Sequence, residues 1–462
     1  MAPTYAVLFR CHFWDDFCTR QLERLKQRCE TGDVFVVVDE TQGPVSAITH
    51  SEDRILRVTG AAAEALGLAH IGDAAAFWYN ADYPLHLFTR RYPDYRYYLM
   101  IEFDAVVNVG LDGLIARLDA DGVDFVGEPI PVPTLTWPWL YTCEGWYAPE
   151  DIRKWLTCIS VFSHRAAHTL FQRRVRASAR VRAGEATVMP FCEAAVGTEL
   201  HLAGFRLTPL HELGSTRCYG TFPPRPEEDL PLLAEESFLH PILDRRRFAA
   251  KLMSETTDIP ALLNEDNPTR GSLGNAAMAW ALPLIHHHLY RIGDDAGCRR
   301  ALDQLRLYAD SDWLRFLGLD ASNIAFGKPA AQSSRSDWSL RPHDAAGAVV
   351  GPPSGAFSFH TLLEERPWWA VDLLSPHSVS RVLVFNRLEI PNRANGLELY
   401  VSIDGRHWYL AGRHEGTPFG GWDGRPLDIA VDRMIRFVRL ELPHRGILHL
   451  DQVQVIRSAA PD

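Results

Sequence analysis

The chain has 462 residues, more than one hydrophobic core usually serves, and its 47% hydrophobic and 23% charged content is that of a globular protein of two or three domains. A formal net charge of -11 argues against general nucleic-acid binding, which needs a basic surface. No run approaches the roughly 18 to 20 apolar residues of a membrane-spanning helix, and the opening "MAPTYAVLFRCHFWDD" lacks the basic-then-apolar pattern of a secretory leader.

In chain order, "YAVLFRC" (5–11) reads as a strand, "DDFCTRQLERLKQRCE" (15–30) has helical spacing, and "DVFVVVDE" (33–40) reads as a buried strand. A helical stretch near "AAAEALGLA" follows, and "YPLHLFTRRYP" leads into "YYLMIEFDAVVN" (97–108), apolar nearly throughout except at Glu102 and Asp104. With "VDFVGEPI" (123–130), this alternation implies a mainly parallel sheet covered by helices on both faces. Ligands of such sheets sit beyond the carboxyl ends of the strands, where Asp39, Glu102 and Asp104 fall. The run "RRVRASARVR" (173–182) carries five arginines, read as a solvated helix face, with a patch for phosphates or an anionic membrane surface as the alternative.

Residues 247–322 hold "AAMAWALPLIHHHLYRIG" and "RRALDQLRLYADSDWLRFLGL", which have helical period and no strand signal. They read as a helical connector packing on the first domain. A helix spreads the three adjacent histidines around its circumference, so they do not chelate. From 323 to 462, short alternating runs such as "RVLVFNR", "LELYVSI" and "RFVRLEL" are separated by turn chemistry, the pattern of an all-β sandwich. The eight cysteines are scattered with no CxxC pair, which suits reduced thiols in a cytoplasm better than disulfides or a zinc site.

Strand alternation predicts that Glu102 and Asp104 share a face while Phe103 packs the other way. Two such carboxylates can hold a divalent cation that bridges phosphates, divide acid and base roles, or simply face water past a strand end. The segment "WYNADYPLHLFTRRYPDYRYYLMIEFD" resembles the region of GT-A-fold glycosyltransferases that runs into their D-x-D strand, and the resemblance spans residues 4–246. It implies a catalytic domain over 1–246 that binds a nucleotide-sugar donor through Asp39, Asn80, Asp82, Glu102 and Asp104. It further implies Mn²⁺ or Mg²⁺ on Glu102, Asp104 and His240, the last within "FLHPILDRRRF" (238–248), whose arginines could face a diphosphate or solvent. Glu102-Phe103-Asp104 departs from D-x-D, which leaves metal dependence open. "PFCEAAVGTELHLAGFRL" (190–207) resembles the acceptor-side helix of these enzymes, with Glu193 as first and Glu199 as second candidate for the catalytic base. Six residues apart on a helix, the two should point to different faces.

"NIAFGKPAAQSS" (323–334) and "FHTLLEERPWWAVDL" (359–373) resemble the discoidin, or coagulation factor 5/8 type C, family, and most nearly its F-type lectins. The resemblance implies a jelly-roll sandwich that grips sugar hydroxyls through His360, Arg387 and Arg393, with Glu389 in place of the usual aspartate. The calcium loop departs from the family at "HDAAGAVV" and at Gln452, which weighs against calcium in this domain. Trp368 and Trp369 read as core. Together the two resemblances imply a glycosyltransferase acting on a glycan or polysaccharide acceptor in the cytoplasm or at the inner face of the membrane. The alternatives are a non-catalytic carbohydrate-binding protein with a degenerate transferase domain, and a nucleotidyltransferase on the same fold.

Overall fold

The most apolar strands of the sequence form the centre of the structure. In the computed structural model, which describes residues 4–41, 43–69, 76–131, 137–308, 318, 320–339, 344–350, 353, 355–387, 390–415, 418–420 and 426–458, strand β1 (Tyr5–Cys11) is buried at every position. It lies within a seven-stranded sheet with β2 (Asp33–Asp39), β3 (Ile55–Val58), β4 (Tyr97–Glu102), β6 (Phe125–Pro129), β7 (Trp155–Ser163) and β8 (Leu207–Pro209), ordered β3-β2-β1-β4-β7-β6-β8. Strands β3, β2, β1 and β4 are parallel, and so are β6 and β8. Strand β7 runs against both of its neighbours. The fold is therefore mixed α/β, mainly parallel with one reversed strand.

Alternation along β1 divides the core into two layers. Ala6 and Leu8 pack with Phe35, Tyr98, Leu170 and Leu200 on one face, and Val7 and Phe9 pack with Leu22, Leu99 and Ile115 on the other. Helices α1 (Asp16–Lys26) and α5 (Leu111–Ala120) supply the second layer, while α4 (Tyr83–Arg91), α6 (His164–Arg182) and α7 (Cys192–Leu202) supply the first. The short helices α2 (Gly60–Ala65) and α3 (Ala76–Tyr79) lie between β3 and α4 in the chain. Capping sets the helix starts: Asp15 accepts the Cys18 amide at 3.1 Å, and Ser163, the last residue of β7, accepts the Ala166 amide at 3.2 Å to begin α6. Beside the main sheet, strand Phe238–His240 pairs antiparallel with β5 (Val106–Val107) and parallel with β9 (Cys218–Tyr219).

The chain divides into two compact units, one of Met1–Thr221 with Leu230–Ile242, the other of Phe222–Asp229 with Leu243–Asp462. Helices α8 (Arg245–Glu255), α9 (Pro268–Ile292) and α10 (Asp295–Tyr308) fall in the second unit. The second unit also holds a six-stranded antiparallel sheet built on the long strands Trp368–Phe385 and Leu427–Glu441. Register shifts near Asp372 and Arg381 let these strands bend around one core, in which Trp369 is fully buried and donates its indole N–H to the Ala345 carbonyl at 2.9 Å. Among the described residues no helix is long and apolar enough to cross a membrane, and all eight cysteines are free.

Candidate functional site

Three strands of the first unit bring one row of polar side chains to the carboxyl edge of the parallel strands. Arg10 on β1 is in register with Glu102 on β4. Across the antiparallel pair β4–β7, Tyr97 meets Ser163 and Ile101 meets Ile159, so continuing that register by one residue sets Cys158 opposite Glu102. Residues so paired share a face of the sheet. Arg10 donates from Nη2 to Glu102 Oε1 at 2.6 Å and from Nη1 to the Ala81 carbonyl at 2.7 Å.

Strand β4 ends at Glu102, where the Ala105 amide donates to the Glu102 carbonyl at 2.9 Å and closes a turn. Asp104 thus stands on the turn rather than on the strand, which corrects the expectation from simple alternation. Phe103 packs edge-on against Phe13, with ring centroids 4.9 Å apart. The chain returns to this turn at His240, next to which the Ile242 amide donates to the Asp104 carbonyl at 2.7 Å. His240 Nδ1 donates to the Gly220 carbonyl at 2.5 Å, which turns Nε2 toward Glu102 Oε2 at 3.6 Å and Asp104 Oδ1 at 3.5 Å. One donor atom each from Glu102, Cys158 and His240 lie within 4.8 Å of one another. Asp104 Oδ1 is buried without a hydrogen-bond partner.

The electrostatics of this cluster favour a positive charge at its centre. Burial alone would raise the Glu102 carboxyl, but the Arg10 guanidinium and then His240 hold it down at about 2. Burial alone would lower His240, yet the acidic groups around it, Cys158 and Asp104, carry it well above the ordinary imidazole value. Burial, with Glu102 adding to it, pushes the Cys158 thiol up to about 12. A divalent cation fits this donor set. It would meet one oxygen that has no hydrogen bond and an imidazole whose other nitrogen is already held by a carbonyl.

The remaining candidates divide. Glu193, in the first turn of α7, is mostly buried and pairs with Lys154 Nζ at 3.5 Å. Burial raises its carboxyl, Lys154 opposes the rise, and the charge of Glu102 adds to it, so Glu193 shares the electrostatic field of the cluster. Glu199 is spent elsewhere, accepting from the Tyr147 hydroxyl at 3.0 Å and pairing with Arg173 Nε at 3.8 Å. Asp39 ends β2 at the same sheet edge, where Oδ1 accepts from the amide and hydroxyl of Thr41 at 2.8 and 2.7 Å.

Asn80 and Asp82 do not face a ligand. They are 0% and 3% exposed, and Arg174 grips both, with Nε and Nη2 on the two oxygens of Asp82 at 2.8 and 2.9 Å and Nη2 on Asn80 Oδ1 at 2.9 Å. The expected nucleotide contacts are thus a buried ion-pair network. The arginine run lies on α6 as a largely solvated face, with Arg176, Arg180 and Arg182 exposed, except that Arg174 is buried; Arg182 donates to the Gly67 and Leu68 carbonyls, both at 2.8 Å. Arg180 lies over the Trp146 ring at 4.3 Å. In the second unit, Arg245 pairs with Glu228 at 2.5 Å and lies over Trp280, and Arg247 is held by Asp244.

A second cluster sits in the sandwich. His360, buried in the short strand Phe359–His360, has Nδ1 2.8 Å from the Thr361 carbonyl and 2.9 Å from the Ser336 hydroxyl. Its cross-strand partner His449 stacks on it with ring centroids 5.5 Å apart. Burial lowers the His360 imidazole, the hydrogen bond to the Thr361 carbonyl opposes that, and the charges of Arg393 and Arg387 add to the lowering. Arg387 lies over the Phe357 ring at 5.2 Å. Glu389 lies outside the described residues. Gln452 accepts from Gln454 Nε2 at 2.8 Å in the interior.

Reading the sequence missed Arg10, Cys158, Arg174 and His449. The signal for Cys158 was the apolar run "WLTCISVFS", a strand bounded by Lys154 and a helix start. The others carry no local mark.

Residues 358–440 match the family model described as the NedA-like, galactose-binding domain. The C-terminal part of the chain is therefore discoidin-like, matching a galactose-binding domain family over these residues. Similar solved structures include the lectin domain of lectinolysin complexed with Lewis b antigen, 28% identical over 30% of this chain and 99% of that one, with a TM-score of 0.27. A fucose-binding module of Streptococcus pneumoniae is 24% identical over 29% of this chain and 95% of that one, with a TM-score of 0.26. A fucolectin from striped bass (Morone saxatilis) serum is 25% identical over 30% of this chain and 49% of that one, with a TM-score of 0.27. No curated protein matches the chain.

Proposed function

We propose that the protein is a glycosyltransferase of GT-A type that moves a sugar from a nucleotide-sugar donor to a glycan or polysaccharide hydroxyl, while its C-terminal domain holds carbohydrate. The observation that carries this reading is the meeting of Glu102, Asp104 and His240 Nε2 at the carboxyl edge of the parallel strands, with Glu193 in the same field. Glu102, Asp104 and His240 would hold a divalent cation such as Mn²⁺ or Mg²⁺, which supplies charge neutralisation for a departing nucleoside diphosphate. Arg10 fixes the Glu102 carboxylate in place. Glu193 takes the proton of the acceptor hydroxyl, its carboxyl raised toward working pH by burial and kept ionisable by Lys154. A single in-line attack assisted by one base inverts the anomeric configuration.

In the sandwich, His360, Arg387 and Arg393 offer one ring nitrogen and two guanidinium forks to sugar hydroxyls beside Phe357. Tethering glycan there raises its local concentration at the reaction. The setting is the cytoplasm or the inner face of a membrane, in polysaccharide assembly.

The test is nucleoside diphosphate release from a panel of sugar nucleotides with Mn²⁺, Mg²⁺ or chelator, with Asp104→Ala run beside each. Donor-selective release that the substitution abolishes supports the reading, and release of pyrophosphate instead marks a nucleotidyltransferase. The second reading is a carbohydrate-binding protein without transfer. It gains the field if no sugar nucleotide binds.

A further inference from the structure

Sulfur is unusual company for a magnesium or calcium site, since those ions take oxygen ligands. Yet Cys158 is brought opposite Glu102 by the β4–β7 register, and its sulfur closes a set of donors with Glu102 and His240. The distances from His240 Nε2 to the two carboxylates suit a metal ion. Bonds of about 2.0–2.3 Å around a tetrahedral ion leave its donors about 3.3–3.8 Å apart. The two distances from His240 Nε2, 3.5 and 3.6 Å, fall in that interval and exceed an ordinary N–H···O hydrogen bond.

The outer partners are in place as well. Arg10 occupies Glu102 Oε1 and the Gly220 carbonyl occupies His240 Nδ1, so Oε2 and Nε2 are the atoms left facing inward. Asp104 Oδ1 points to the same place, buried and without a hydrogen bond. The Glu102 side chain, about a third exposed, leaves the cluster open on one side.

We propose that Glu102, Cys158 and His240 form a three-donor site, with Asp104 beside His240, for a borderline-soft divalent transition ion such as Zn²⁺ or Co²⁺, with direct Cys158 sulfur ligation setting its preference over Mg²⁺ and Ca²⁺. The inference rests on reading the cluster as a cation site, as the proposed function does, but not on sugar transfer. As the metal bonds form, the Cys158 thiol and the Nε2–H of the protonated His240 each release a proton to solvent, and no redox step is involved. Imidazole and thiolate bind zinc-class ions more tightly than carboxylates alone, which reverses the magnesium preference of an all-oxygen site.

Cobalt titration of the full chain tests this directly. The expected result is a thiolate-to-cobalt charge-transfer band in the near ultraviolet that saturates at one ion per chain. It should be missing in Cys158→Ser and Cys158→Ala proteins of unchanged circular dichroism, and displaced by stoichiometric Zn²⁺ but not by about a hundredfold excess of Mg²⁺. Stoichiometric cobalt binding without the band, no cobalt binding by the folded protein, or a band that persists in Cys158→Ser overturns the proposal. If neither Cys158 variant folds, His240→Gln carries the test: a band titrating at least about tenfold more weakly supports the site, and an unchanged titration overturns it. Nucleoside diphosphate release without the band sinks this site and leaves the transferase reading. The band without any sugar-nucleotide binding does the reverse.

Discussion

Two carboxylates of the first unit, Asp82 and Glu193, show how burial sorts acidic residues into structural and chemical roles. Asp82 is enclosed and paired with Arg174 and His86, and against the push of burial those two partners hold its carboxyl below the usual range. A depressed folded value means that the stability it contributes is present above the unfolded value of about 3.9 and is lost as pH falls below it. Arg174→Met should therefore lower stability at neutral pH by about 3–5 kcal/mol, because it strands a buried charge, and should flatten the acid-induced loss. Urea midpoints measured from pH 7 to pH 3 check both effects. Glu193 is shifted the other way, so the acid limb of the transfer rate should lie above the ordinary glutamate value of about 4.3. Lys154→Met should move that limb higher still, and Glu193→Gln should cost about 10²–10⁴ in kcat with donor binding retained. A limb that ignores Lys154 would remove Glu193 from the role of base.

At the scale of elements, the position of Glu193 depends on how closely α7 lies on the start of β7. Gly197 makes that approach possible: a Cβ there would meet Trp155 Cδ1 at 2.0 Å and the Arg153 carbonyl at 2.6 Å. Gly197→Ala should thus destabilise the first unit by about 1–3 kcal/mol, read as a shifted urea midpoint, and displace α7 with a loss of activity beyond the loss of fold. In the sandwich the ladder of Phe359–His360 with His449–Leu450 presents the two histidines side by side. Arg387 is only half-buried, so Arg387→Ala should leave the melting temperature nearly unchanged. It should weaken retention on immobilised glycans at least about tenfold, the loss of one charge-assisted hydrogen bond worth about 1.5–3 kcal/mol. Equal retention by wild type and variant would place glycan binding elsewhere.

For the whole molecule, two compact units with separate cores predict separable unfolding. Calorimetry should show more than one transition. A ligand of the carboxylate–histidine cluster should raise one of them, and a glycan held by the sandwich should raise the other. A single transition shifted equally by both ligands would mean that the units unfold together.

What the sequence determined by itself is whatever local period and charge contrast can write. Apolar runs such as "VFVVVD" and "YYLMIE" announce buried strands, and the two acids at the end of the second, Glu102 and Asp104, announce a site because an unpaired buried charge is costly. The change from α/β to all-β was equally legible in the short alternating runs after 323. Tertiary structure decided the rest, because strand register and side-chain partners join residues far apart in the chain. Asn80 and Asp82 are polar and near a helix start, which suits ligand contact as well as it suits the core. Only Arg174, about ninety positions away, removes them from the site. Cys158 reads as one more apolar strand residue until the antiparallel pairing of β7 with β4 sets its sulfur opposite Glu102. That pairing is a non-local contact, and no local pattern in either strand encodes it.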